Sequence, residues 1–224
     1  MKQDRQKKYY EKIWDIKKLE KGTKKIAFQK ETSDIEVVRF LDYVKKKKIK
    51  GSVLDVGCGG GRHSILFAEA GFDVTGFDFS SKAVSLAKGW AKRLGLDVKF
   101  KRGSVLDYKD SKKYDVVVDY GCLHHIKKGD WGKYKKTLMG ATKLGAILFL
   151  FGFAEGTTYL KNVKLSPEQM KSRYAVIKGD YSWLFSVDEI RDLFEPEFEV
   201  VYCKGKKTLN RRTSFYTFYL EKLR

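Results

Sequence analysis

Residues 53–62 read VLDVGCGGGR, and this stretch decides the fold. Val53, Leu54 and Val56 form a short apolar run of the kind that makes a buried strand. Gly57, Gly59, Gly60 and Gly61 follow as a turn, and Arg62-His63-Ser64-Ile65-Leu66-Phe67-Ala68 opens an apolar helical pattern. Glycine is needed where a backbone turns tightly from strand to helix and lets a ligand touch the main chain. The next apolar run, Asp73–Phe77, ends at Asp78, about twenty residues past the loop, where a nucleotide-binding βαβ unit carries its ribose acid.

Two phosphate-binding fingerprints fail here. Counting from Gly57, a dinucleotide loop of the form G-x-G-x-x-G would need a third glycine where Arg62 stands. A P-loop would need Gly-Lys-Ser/Thr, and the similarly spaced Gly140 and Gly145 lead into Ala146. The loop reads instead D-x-G-x-G-x-G from Asp55.

Outward from the loop, apolar strands and helical patterns alternate. Strands are expected at Val53–Val56, Asp73–Phe77, Val98–Lys101, Asp115–Asp119 and Ala146–Phe151, with helices at His63–Ala70, Lys82–Leu94 and Lys133–Leu144 between them. Ahead of these, Tyr9, Ile13 and Ile16 mark an amphipathic helix. Ser33-x-x-Glu36 reads as a capping box for a helix that presents Ile35, Val38, Leu41 and Val44. Behind them, helix Val187–Phe194 leads to strands Phe198–Cys203 and Ser214–Leu220, which no helix separates. Alternation implies a mostly parallel sheet with helices on both faces, and the last two strands should pair as an antiparallel hairpin.

The chain has 224 residues and 42% hydrophobic content, enough for one domain with a substantial core. Its organisation is read as a single domain over 1–224, with 1–50 an N-terminal helical cap and 152–186 a short insertion. No apolar run approaches the ~20 residues of a membrane helix, and the first residues lack the apolar stretch of a secretory signal. Cys58, Cys122 and Cys203 are widely spaced and odd in number, so neither a disulfide framework nor a metal site is expected. A cytoplasmic location follows as an expectation. The net charge of +19 raises the question of nucleic acid, because lysine and arginine attract phosphate backbones. The lysines are scattered, however, and the dense run Lys45–Lys48 sits where a helix end would face water. Nucleic-acid binding is therefore the less favoured reading.

The D-x-G-x-G-x-G loop, the acid at Asp78, the run YDVVVDYGCLHHI from Tyr114 to Ile126 and the closing hairpin together resemble the class I S-adenosylmethionine (SAM) methyltransferases. The likeness covers roughly Glu36–Leu220. Within the class, G-C-G-x-G-R and D-x-G-C-x-H-H-I are most similar to the thiopurine and tellurite-resistance (TehB-like) branch. The resemblance implies a Rossmann-like seven-stranded α/β sheet, mostly parallel with an antiparallel C-terminal hairpin, and SAM as cofactor. It places Gly57, Cys58, Gly59 and Gly61 against SAM, Asp55 near its amino group, Asp78 on both ribose hydroxyls and Phe79 beside the adenine. Many relatives carry an acid after the third strand. Ser104 stands there in this chain, followed by Val105, with Asp107 as an alternative partner for the adenine.

Methyl transfer needs an aligned acceptor and, where that acceptor must lose a proton, a base. Asp119, His124 and His125 are the catalytic candidates, because they end the fourth strand, where open α/β sheets bind ligands. Tyr10, Trp14, Tyr120 and Trp183 are the candidate substrate contacts, and their aromatic character points to an aromatic or apolar small-molecule acceptor. A short insertion favours a small molecule over a polymer. An RNA or protein methyltransferase, or a SAM-binding module without catalysis, are the alternatives; the oligomeric state is left open.

Overall fold

The predicted strand around Leu54 spans Ser52–Val56 (β1), fully buried, and lies inside a seven-stranded sheet. The computed structural model describes residues 2–15, 33–155, 167, 173–177, 180–207 and 214–224. Ile16, Tyr159 and most of the insertion lie outside the described residues. Along the chain come α1 (Lys2–Ile13), α2 (Ile35–Lys46), β1, α3 (Arg62–Glu69), β2 (Asp73–Asp78), α4 (Ser81–Arg93), β3 (Lys99–Arg102) and β4 (Tyr114–Tyr120). Then follow α5 (Trp131–Ala141), β5 (Thr142–Phe153), β6 (Tyr174–Ile177), β7 (Asp180–Trp183), α6 (Val187–Phe194), β8 (Phe198–Lys207) and β9 (Ser214–Lys222). The sheet order is β3-β2-β1-β4-β5-β9-β8, and β6 and β7 form a separate two-stranded hairpin. The first five strands are parallel neighbours, while β9 runs antiparallel to both β5 and β8. The expected architecture is the observed one.

Both sheet faces are covered, which is why the strands read as unbroken apolar runs rather than alternating ones. Leu54, Val117, Leu148 and Leu150 point to one face, against Trp131, Tyr134 and Leu138 of α5 and Ile190 and Phe194 of α6. Val53, Val116, Val118, Ile147 and Phe149 point to the other, against Val37, Phe40, Leu41 and Val44 of α2 and Phe67 of α3.

Local details differ from the sequence reading. Asp34, not Ser33, caps α2 by accepting from the Glu36 N–H at 2.9 Å; Ser33 Oγ donates to the Arg62 carbonyl instead. The buried face of α2 is accordingly rotated: Val37 and Phe40 are in the core and Ile35 is exposed. Glu36 is then drawn inside, where Arg39 and Lys206 compensate its charge. A complete capping box does exist, at Ser186 and Glu189 before α6. The β6–β7 hairpin was not foreseen. Among the described residues of the N-terminal cap expected over 1–50, the α1 segment sits over the ligand side, whereas α2 is a core helix of the sheet.

The strand order reverses between β1 and β4, whose register pairs Val56 with Asp119. Open α/β sheets hold ligands in the crevice beyond such a switch point. Two carboxylates are sealed beneath that crevice. Asp55 accepts from Ser64 Oγ at 2.6 Å, and burial, reinforced by Asp119 and Asp78, pushes its pKa up to about 7. Asp119 accepts from Tyr134 Oη at 2.5 Å and from the N–H groups of Cys122 and Leu123; burial pushes it up to about 6.

An acid whose folded pKa exceeds its unfolded value of about 3.9 contributes most stability below that value and loses it as pH rises through the folded pKa. Asp55 should therefore cost stability progressively between pH about 4 and about 7. Asp55→Asn, which keeps the shape and removes the charge, should flatten this dependence, so that the gap between urea midpoints at pH 5 and pH 8 narrows relative to the parent protein. An unchanged gap would show that the buried carboxylate is not its source.

Candidate active site

A cavity of about 960 Å³ opens over the C-terminal ends of β1, β2 and β4. Its volume falls in the upper part of the ~300–1,000 Å³ range of ligand pockets. One end is floored by the glycine loop. The N–H groups of Gly57 and Cys58 both donate to the Phe77 carbonyl, at 2.9 and 3.0 Å, which ties the loop to the end of β2. Gly57 and Gly59 have φ of 67° and 54°, the left-handed region that glycine alone enters at little cost. They are also crowded: a Cβ on Gly57 would stand 3.0 Å from Cys122 Cβ, and one on Gly59 would stand 2.7 Å from the Trp14 ring.

Asp78 closes this end. Its Oδ2 accepts from Gly59 N–H at 3.0 Å and its Oδ1 from Ser80 N–H at 2.8 Å. Burial raises its pKa to about 6, against the lowering effect of these backbone donors. A carboxylate offers about four lone-pair directions, so both oxygens keep capacity for a ligand's diol. Phe79, Ser104, Val105 and Asp107 line the wall beyond it. Ser104 Oγ accepts from the Leu106 N–H, which leaves its own hydroxyl hydrogen to donate, while Asp107 reaches outward to Lys133. These residues suit SAM: a cradle too tight for any Cβ lies next to a buried two-oxygen acceptor.

The other end is aromatic. Tyr120, Phe151, Phe215 and Phe153 stand side by side, with centroid separations of 4.4, 4.9 and 5.2 Å along the row. Arg62 lies 4.9 Å over the Tyr120 ring, and Tyr120 Oη donates to Asp34 at 2.9 Å. His124 and His125 border this end on a 3-10 turn, Leu123–His125, that hangs from the two backbone donors gripped by Asp119. The two Nε2 atoms are 2.8 Å apart. Burial, then the neighbouring His125, lowers the His124 pKa well below its ordinary value.

Helix α1 and the two residues after it roof both ends. Trp14, 5% exposed, lies on Gly59 and Gly60. Glu11 accepts from the N–H groups of Ser81 and Lys82, capping α4 from outside, and Asp15 pairs with Lys82 at 2.8 Å. Tyr10 packs edge-on against Phe79 and His125, at 5.3 and 5.7 Å.

The structure brings together Gly57, Cys58, Gly59, Asp78, Phe79, Ser104, Val105, Tyr10, Trp14, Tyr120, His124 and His125 around one cavity. Five assignments need correction. Asp55 turns to Ser64 beneath the loop and does not line the cavity. Gly61 caps α3 at φ 87° and packs on Ala87 and Phe100, so its role is in helix packing. Asp119 is 0% exposed and holds backbone and Tyr134, which makes it a structural anchor of the histidine turn rather than a catalytic group. Trp183 turns away onto Tyr174 and Trp131 and is absent from the cavity wall. Trp14 rests on the glycine loop, so it belongs to the cofactor end and not to the aromatic one. Sequence reasoning missed Gln6, Glu11 and Asp180, whose side-chain partners lie 55 or more residues away and leave no local pattern. Among the described residues no cluster of three or more His, Cys, Asp or Glu could hold a metal, and no helix is long and apolar enough to cross a membrane.

Residues 53–145 match the family described as a methyltransferase domain. A ubiquinone biosynthesis O-methyltransferase of Pelagibacter ubique is 35% identical over 104 residues, 46% of this chain and 42% of that protein. The chain thus spans about two fifths of the length of such curated relatives. Magnesium protoporphyrin IX methyltransferase from Synechocystis PCC 6803 shares the fold with a TM-score of 0.71, at 19% identity, over 96% of this chain and 97% of that one. An uncharacterized methyltransferase of Schizosaccharomyces pombe is 30% identical over 109 residues, 48% of this chain and 75% of that protein. By its glycine cradle, the acid at the end of β2, its reversed last strand and its likeness to these relatives, the chain belongs to the class I SAM-dependent methyltransferases.

Proposed function

We propose that this chain transfers a methyl group from SAM to a small aromatic or largely apolar molecule. The observation that carries the reading is one cavity joining the Gly57–Gly59 cradle and Asp78 to the row Tyr120, Phe151, Phe215 and Phe153. A relative bearing the name of an O-methyltransferase supports an oxygen acceptor. The strand-four pattern that resembles the thiopurine and tellurite-resistance branch supports a small-molecule one.

SAM, when bound, supplies a methyl group already activated for displacement. The chain's own residues then have three tasks. Asp78, Gly57, Gly59, Phe79 and Ser104 would hold the cofactor. The aromatic row orients the acceptor: stacked rings expose their electropositive edges, which suit the face of another ring. Trp14 and Tyr10 shut out water from above, which removes competing solvent and sharpens local electrostatics. His124 and His125 border the acceptor end, where a base would take a proton from a hydroxyl or amine.

Screening turnover of labelled SAM against phenols, catechols, thiols, aryl amines and RNA tests the proposal. Methylation of a ring-bearing small molecule is the expected result. Selective methylation of RNA at physiological salt, with no small molecule accepted, would overturn it.

The cofactor end gives two sharper expectations. Asp78→Ala should weaken SAM binding by about 1.5–3 kcal/mol for each hydrogen bond forfeited, tenfold or more in Kd by calorimetry. Wild-type affinity in a cooperatively folded variant would remove Asp78 from the site. Gly59→Val places a branched side chain at φ 54° and into the Trp14 ring, so SAM affinity should drop sharply even where the fold survives. Normal binding by that variant would mean that neither the loop nor Trp14 approaches the ligand.

A further inference from the structure

Asp180, on the hairpin that the sequence did not reveal, is 8% exposed and gathers three side chains. Gln6 Nε2 donates to its Oδ1 at 3.0 Å, while Tyr10 Oη and His125 Nδ1 meet its Oδ2 at 3.2 and 3.1 Å. His125 Nδ1 also lies 2.6 Å from the Tyr181 carbonyl. Both of these partners only accept, so Nδ1 carries a hydrogen. In neutral His125 the Nε2 is then a lone pair, and His124 Nε2 must donate to it across 2.8 Å. That assignment leaves His124 Nδ1 bare, which agrees with its being buried and without a partner among the described residues, since an orphaned N–H is rarer than an orphaned acceptor. Every proton in the row therefore points toward Asp180.

We propose that Asp180 is the positioning residue of the methyl-transfer site: it holds His125 with Nδ1 protonated, so that Nε2 is the base that takes the acceptor's proton. The proposal rests on the reading of this cavity as an acceptor site. In the reaction the acceptor's O–H or N–H bond breaks and its proton goes to His125 Nε2. The acceptor atom keeps the electron pair and uses it to bond the methyl carbon, whose former bonding pair leaves on the cofactor sulfur. The acceptor hydroxyl or amine takes the place that His124 Nε2–H holds in the resting protein. The imidazolium formed is compensated by Asp180 and the Tyr181 carbonyl. Gln6 and Tyr10 belong to α1, so the dyad is complete only with that helix seated.

The groups that face His125 are Asp180 and the Tyr181 carbonyl from β7, His124 from its own turn, Tyr10 from α1 and, at longer range, Asp119 from β4. Burial alone would lower the His125 pKa; the Asp180 carboxylate, with the Tyr181 carbonyl and Asp119, outweighs it and raises it.

The test is nitrogen NMR of protein labelled at its 3 histidines, assigned with single variants and titrated from pH 5 to 9. In the parent protein His125 should show a protonated Nδ1 and titrate above free histidine. Asp180→Asn should lower that titration by about one pH unit or more, the size of effect a neighbouring charge has, and Asp180→Glu should restore part of it. Tyr10→Phe frees the shared Oδ2 of one donor and should shift His125 upward; it serves where Asp180→Asn does not fold. With a turned-over acceptor in hand, the acid limb of kcat should move with the His125 titration, while calorimetric SAM affinity stays within twofold. His125 titrating identically in both variants, or carrying its proton on Nε2 alone, would overturn the proposal, as would an acid limb that ignores Asp180→Asn. Failure of the parent protein to bind SAM would instead defeat the methyl-transfer reading, and the NMR result would still report on the dyad.

Discussion

Buried carboxylates gripping backbone N–H groups organise everything around the cavity. Asp78 holds Gly59 and Ser80, and Asp119 holds Cys122 and Leu123. These are the segments where the chain leaves a strand and where regular ladders supply no partner. A carboxylate can satisfy several donors at once, so one acid shapes a whole turn. The arrangement costs desolvation and mutual repulsion, which is visible in the raised pKa of Asp55, Asp78 and Asp119. The return is a loop and a turn whose geometry is set before any ligand arrives, and preorganisation of that kind is what positioning catalysis requires.

The strands and their direction were legible because burial on both faces writes itself as uninterrupted apolar runs, as in Ala146–Phe151. The cofactor end was legible for a different reason. Gly57, Gly59 and Asp78 act within one βαβ unit, so the constraint is local and appears as spacing. Asp55 and Gly61 share that spacing yet serve packing, because the motif records where backbone is tight and not what presses on it. Asp119 misled in the same way: a polar residue at a strand end reads as functional, whereas here three donors consume it.

The acceptor end was only half readable. Tyr120 and the histidines follow the fourth strand and could be placed by topology. Asp180 could not, because it meets Gln6 and Tyr10 across 174 and 170 residues, and nothing near it in sequence marks the contact. Glu11 is similar: its value lies in reaching the first turn of a helix 70 residues away. Contacts that only the assembled fold creates leave no periodicity to find, and they are also what joins α1 to the two ends of the cavity. The displaced cap of α2 is a smaller instance. Ser33 and Asp34 are equally good cap residues, and the Arg62 carbonyl decides between them by claiming Ser33.

The placement of β9 bears on how the molecule is made. This strand comes late in the chain and inserts between β5 and β8, pairing Ile147–Phe153 with residues some 62 to 74 positions further on, Phe215–Glu221. Until it is synthesised, β5 presents AILFLFGF with one row of backbone groups unpaired. An exposed, uncharged apolar edge is a template for pairing with another chain, and long-range strand pairing is slow. A net charge of +19 over the whole protein works against such pairing, because like-charged copies repel one another. The scattered positive charge thus bears on folding as well as on the finished surface.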